Sequence, residues 1–128
     1  MGKNGLKLLD LAARSEHVSE LDKSKTPTKF LVGSLSSRQM FKIMAKYGSD
    51  TKNAEMMASC AMQFVKYGLK GVEGNLGEGF KLIEDTKLGW KCEAVDDNYL
   101  DRLPMQLLSE VATWVTDMSK VGELQKKV

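Results

Sequence analysis

The chain contains one histidine, two cysteines, two prolines and few aromatic residues, 7% of 128 in all. A single histidine with no nucleophile spaced to pair with it leaves little from which to build an acyl-transfer or hydrolytic site, so no enzyme is expected. Cys60 and Cys92 stand alone rather than in a Cys-x-x-Cys pair, which fits no zinc site and leaves one possible bridge, and Cys60, in an apolar helical stretch, reads as a buried thiol. The acids Glu93, Asp96, Asp97 and Asp101 lack the glycine and distant glutamate of a helix-loop-helix calcium site. Neither the phosphate-loop pattern nor the Gly-x-Gly-x-x-Gly dinucleotide fingerprint occurs. No catalytic, cofactor or metal residues are therefore assigned. Long apolar runs are missing too. Nothing approaches the roughly 18 residues of a membrane span, and Asp10 and Arg14 interrupt any signal-peptide core. Leu6 occupies the place where a myristoylated Gly2 would need Ser or Thr. A cytosolic protein without a membrane partner is expected.

What is present is ordinary in bulk and uneven in detail. With 42% apolar and 28% charged residues the composition is that of a single globular domain. A chain of this length buries about two thirds of its unfolded surface, so it needs no staple. Eight methionines give its apolar surfaces an adaptable character. The formal charge is +2, but Lys23, Lys25, Lys29, Arg38, Lys42 and Lys46 fall between residues 23 and 49 with no acid among them. Residues 73–101 hold acids at 73, 78, 84, 85, 93, 96, 97 and 101 against Lys81, Lys87 and Lys91. Such asymmetry suits two solvated faces, contact of the basic part with nucleic acid, or pairing of unlike faces between copies.

Four segments are predicted within the one domain, residues 1–128. The first, 1–33, is an amphipathic helix over 6–21, carrying Leu8, Leu9, Ala12 and Ala13 on one side, followed by a strand arm. His17 falls at the ragged end of that helix as a solvated side chain. Pro27 ends a loop over 22–27, and 28–32 reads as a short strand closed by Gly33, with 18–21 as its hairpin partner. The second segment, 34–67, reads as a helical hairpin. Ser36 and Gln39 have capping-box spacing, Met40, Phe41, Met44 and Tyr47 recur at helical intervals, and Gly48 supplies a stop. Asp50 caps a second helix whose inward face runs Ala54, Met57, Ala58, Ala61, Phe64 and Val65.

The third segment, 68–95, is predicted to be a glycine-rich loop, because Gly68, Gly71, Gly74, Gly77 and Gly79 crowd a dozen residues. Within it, 80–83 and 90–95 read either as two strands around a turn at 87–89 or, for 80–84, as a helical turn. The fourth, 96–128, opens with a turn capped by Asp96 and continues in a helix begun at Pro104. On a helical wheel Met105, Leu107, Leu108, Val111, Ala112, Trp114, Val115 and Met118 fill half the circumference, more than the stripe of an ordinary surface helix. One edge must then meet another chain or be covered by a second element of its own. The candidate partner interface is the edge Leu103, Leu107, Trp114 and Met118. Ser119 reads as the cap of a last helical turn. The predicted fold is mainly α, a small helical domain with a short β-strand or hairpin, α+β at most.

Several stretches resemble one family. Val65-Lys66-Tyr67-Gly68-Leu69-Lys70-Gly71-Val72 is similar to the "ygLkGw" segment of tail assembly chaperones of long-tailed (siphovirus-type) bacteriophages, which usually carry an aromatic residue where Val72 stands. The run from Asp96 through Asp101-Arg102-Leu103-Pro104 resembles that family's "vLdrLP" segment, and Leu108, Glu110 and Val111 follow as in its next helix. Upstream, Phe30-Leu31-Val32 and Leu35-Ser36-Ser37-Arg38 match a strand leading into a helix start. The resemblance covers residues 28–127. It implies a helical, self-associating, non-enzymatic chaperone that coats the tape measure protein in the host cytoplasm and is absent from the finished virion. It also implies a longer form made by ribosomal frameshifting, with which Lys126-Lys127 is compatible. No cofactor is implied. The reading from another class is a nucleic-acid-binding helical module, weakened because the second helix of the hairpin offers only Lys52, Gln63 and Lys66. A structural head or tail component is a third.

Overall fold

An antiparallel hairpin takes up part of the stretch, 6–21, where a helix is expected. In the computed structural model, which describes residues 8–47 and 54–119, β1 (Ser15–Val18) pairs with β2 (Lys29–Val32), setting Ser15 opposite Val32 and Val18 opposite Lys29. Exposure along β1 alternates residue by residue, the period of a strand. The apolar residues that suggested a helix have no core to meet, and Leu8 is 97% exposed. Asp10 instead accepts the Ala12 amide at 3.0 Å through Oδ1, which holds the backbone in a turn.

The capping box at Ser36 is present as predicted. The Gln39 amide donates to Ser36 Oγ at 3.1 Å and the Ser36 amide to Gln39 Oε1 at 2.9 Å. It starts α1 (Ser37–Tyr47), which packs on α2 (Ala54–Gly68). The buried residue of α1 is Ile43, with Met40 and Tyr47 partly buried beside it, while Phe41 and Met44 point away from the core. On α2, Ala58 is exposed, Ala61 and Phe64 are half-buried, and Val65 is fully enclosed. Gly48, Asp50 and the side chains of Ala54 and Met57 lie outside the described residues.

The expectation of a mainly α domain is corrected by the chain beyond α2. The glycine-rich stretch is a loop only over 74–81. It enters β3 (Leu69–Glu73) directly, and β3 pairs antiparallel with β2 to complete a sheet of order β1-β2-β3. A short 3-10 turn at Asn75–Gly77 leads to β4 (Leu82–Asp85), which pairs with β5 (Cys92–Val95) as a second antiparallel sheet. This is the two-strand alternative for the region. With two sheets among the described residues, the domain is α+β. Composition misled because Gly68, Gly71 and Gly77 mark close packing, not freedom. A Cβ on Gly71 would approach Leu31 Cδ1 to 3.0 Å, and one on Gly68 would fall 2.4 Å from Val115 Cγ1.

Asp96 stands before α3 (Asp97–Leu100) without a side-chain cap; its carbonyl accepts the Leu100 amide at 3.0 Å. Pro104 precedes α4 (Met105–Met118), which packs along α2. At its far end Ser119 Oγ donates to the Val115 carbonyl at 2.8 Å and accepts the Leu35 amide at 2.8 Å, while Ser34 Oγ donates to the Met118 carbonyl at 2.8 Å. The end of α4 is thus tied to the link between β2 and α1. The last turn expected after Ser119 lies outside the described residues. No helix among the described residues is long and apolar enough to cross a membrane.

Gly68→Ala tests the α2–α4 crossing. The added methyl has no room beside Val115, so a loss of about 1–3 kcal/mol is expected from overpacking. Urea unfolding should show a lower midpoint at unchanged slope, and Val115→Ala in the same chain should recover part of the loss.

Candidate interaction surface

Of the four residues chosen from sequence, Leu103 precedes α4 and the other three lie on it, and Trp114 meets the chain's own first hairpin. Leu107 is 4% exposed, and Leu103, Trp114 and Met118 are half-buried against the core. The His17 ring stacks on Trp114 with centroids 4.7 Å apart and planes 8° from parallel, and Phe30 meets the same indole at 5.9 Å. His17 is therefore not a solvated side chain; its Nε2 also lies 2.8 Å from Ser15 Oγ. Glu110 fixes the hairpin from the same helix, accepting the Ser19 hydroxyl and, at 3.1 Å, the Glu20 amide. The hairpin thus covers the Trp114 part of the broad apolar arc from within the chain, while Met105, at the start of that arc, is 77% exposed.

A second surface lies on α1. With Ile43 turned inward, Arg38, Phe41 and Ala45 occupy the opposite side of the helix and Lys42 its flank, all four exposed. Phe41 is 75% exposed and Met44 48%. Across from them the β4–β5 turn presents Gly89 and Trp90, closing an open groove of about 460 Å³ lined by Arg38, Phe41, Lys42, Ala45, Gly89 and Trp90. The Arg38 guanidinium lies 3.9 Å from the centre of the Trp90 ring, a cation–π contact. Single exposed apolar side chains are common on any protein; here Phe41 faces a second aromatic, Trp90, with Arg38 and Lys42 beside them.

That turn is held from beneath. Leu88 is buried in the core, and the Gly89 amide donates to the Thr86 carbonyl at 3.0 Å. Asp85 Oδ2 accepts the Lys87 amide at 3.1 Å and the Tyr67 hydroxyl at 2.6 Å. Lys66, 3% exposed, donates to Asp97 Oδ1 at 2.9 Å and lies 3.7 Å from Asp85 Oδ1. Burial opposes the Lys66 charge, but the Asp97 hydrogen bond and the two carboxylates outweigh it and hold its pKa above the ordinary lysine value. Burial likewise works against the Asp85 charge, and the Tyr67 hydroxyl, the Lys87 amide and Lys66 together hold its carboxyl below the usual range. Asp97 is lowered chiefly by its hydrogen bond from Lys66. Tyr67 is pushed up, first by burial and then by Asp85. This cluster is satisfied internally. It positions a wall of the groove, and only at Asp97, which also lies 3.7 Å from the Lys87 ammonium, does it reach the surface.

Lys66 is thus unavailable to nucleic acid, and Gln63 is half-buried. Among the described residues no group of three His, Cys, Asp or Glu could hold a metal ion. Both cysteines are free, Cys92 buried and Cys60 half-buried with its thiol pKa pushed up by burial. Sequence reasoning missed the α1 groove because it grouped Phe41 and Met44 with Met40 and Tyr47. A wheel centred on Ile43 places Phe41 beside Arg38 and Ala45, across from the core, and would have found it.

Trp114→Ala distinguishes a covered indole from an exposed anchor. Losing contacts with His17 and Phe30 is expected to cost about 3 kcal/mol of folding stability, read as a lower urea midpoint with no change in sedimentation behaviour. Comparison of the chain with protein-family models, with curated proteins and with solved structures finds no match.

Proposed function

We propose that this chain is a tail assembly chaperone of long-tailed bacteriophages, binding the tape measure protein and keeping it soluble before the tail tube polymerises. The observation that carries the proposal is the order and spacing of the resembling segments at 28–38, 65–72 and 96–111. Two of them are also physically joined, since Lys66 of one pairs with Asp97 of the other at 2.9 Å. A chaperone for a long helical client needs a core closed without the client, with adaptable apolar side chains left outside. Phe41, Met44 and Met105 are exposed in this way, and flexible methionines suit a binder of many similar apolar stripes. In this role the protein acts in the host cytoplasm, associates with itself and with a frameshifted longer form, needs no cofactor and does not remain in the virion.

Co-expression with the tape measure protein of the same phage tests the proposal. The client is expected to be insoluble alone and to remain soluble and co-purify when this chain is present. An insoluble client in both cases contradicts the reading. Detection of the chain in finished particles would make it a structural component instead.

A further inference from the structure

The groove on α1 specifies a partner by its chemistry. Its apolar part is Phe41 and Ala45 on one side and Trp90 on the other. Its rim is cationic: Arg38 and Lys42 line it, Lys46 lies one turn on, and among the described residues none of the three is in an ion pair. No carboxylate occurs between residues 23 and 49 to neutralise them. The Lys42 stem lies over Gly89, where a Cβ would stand 3.8 Å from Lys42 Cε, so its ammonium is carried at the edge of the groove.

We propose that this groove docks an amphipathic helical segment of a partner protein whose apolar side chains are flanked by carboxylates. The apolar pair Phe41 and Trp90 is of the type that concentrates binding energy, and the cations at the rim select acids beside it. The eleven residues of α1 make a wall about 16 Å long, enough for anchors at i, i+3 or i+4, and i+7 of a docked helix. The chain's own terminal segments lack the charge to fill it. Residues 1–7 carry Lys3 and Lys7 and no acid, and residues 120–128 carry Lys120, Lys126 and Lys127 against Glu123. A nucleic-acid duplex would pair with the cations but would leave Phe41 without a base face to stack on, and the neighbouring helix has its Lys66 buried. The inference goes beyond the tail-chaperone reading, because it rests on the groove alone.

Fluorescence anisotropy with the full chain tests it. The probe is a labelled synthetic helix of about 18 residues, leucines on one face and glutamates flanking them, against the same peptide with lysines for glutamates. The acidic peptide is expected to bind, more weakly as salt rises, and the lysine peptide to bind at least about tenfold less well. Phe41→Ser and Lys42→Glu should each weaken the acidic peptide about tenfold while thermal midpoints stay unchanged, as both positions are exposed. Equal binding of the two peptides, or no loss in Phe41→Ser, overturns the proposal. So does tighter binding of a DNA duplex at the same residues. Self-association abolished by Phe41→Ser, with no peptide bound, would make a second copy the occupant and also overturn it. If the acidic peptide binds as expected and the tape measure protein does not, only the proposed function fails.

Discussion

Residues 65–69 carry the chain from α2 into β3 with no loop between them, and all five are buried. Each faces a different requirement. Val65 and Leu69 are fully enclosed in the core, Lys66 must meet Asp97 and Asp85, Tyr67 must reach Asp85, and Gly68 must admit Val115 of α4. The Gly68 carbonyl also accepts the Gly33 amide at 2.8 Å, so the joint is stitched to the end of β2. A buried ammonium is costly to leave without a carboxylate partner. The joint is therefore intolerant of rearrangement, and the helix and sheet layers take their relative positions from it.

Two of those constraints reach the surface. Asp85, held by Tyr67 and Lys66, anchors the turn that lifts Trp90 against Arg38. Asp97, held by Lys66, begins the α3 turn that delivers the chain to Pro104 and α4. The first fixes one wall of the α1 groove; the second fixes the helix that the β1–β2 hairpin covers. The α1 wall itself owes its direction to the capping box at Ser36 and to the tie between Leu35 and Ser119. A rigid interior with an adaptable apolar and cationic edge is the arrangement a binding protein requires, since the edge can engage a partner without disturbing the core.

The parts legible in the sequence were those set by local chemistry. The Ser36–Gln39 box, the strand around Phe30 and the helix after Pro104 each arise from a few adjacent residues. The parts that were not legible depend on distant ones. A four-residue strand such as Ser15–Val18 has only two inward positions, too few to compete with the apolar spacing of Leu8 to Ala13. Gly71 in β3 looks like a loop residue until Leu31 is seen beside it. The breadth of the apolar arc on α4 was visible, but not its cover, since His17 and Phe30 come from the opposite end of the chain. The groove escaped for a related reason: Phe41 belongs to the polar side of α1, and its neighbour Trp90 comes from another element.

Native-state hydrogen exchange measures the dependence on the joint most directly, because it reports opening residue by residue. With the joint as the frame of the fold, those amides of residues 65–72 that are bonded within α2 or to β2, together with that of Gly33, are predicted to exchange only through global unfolding and to share the highest protection in the molecule. The exposed half of α1 and the β1 edge should open at lower free energy. Fast exchange at 65–72 while the β4–β5 hairpin or α1 remains protected would contradict it.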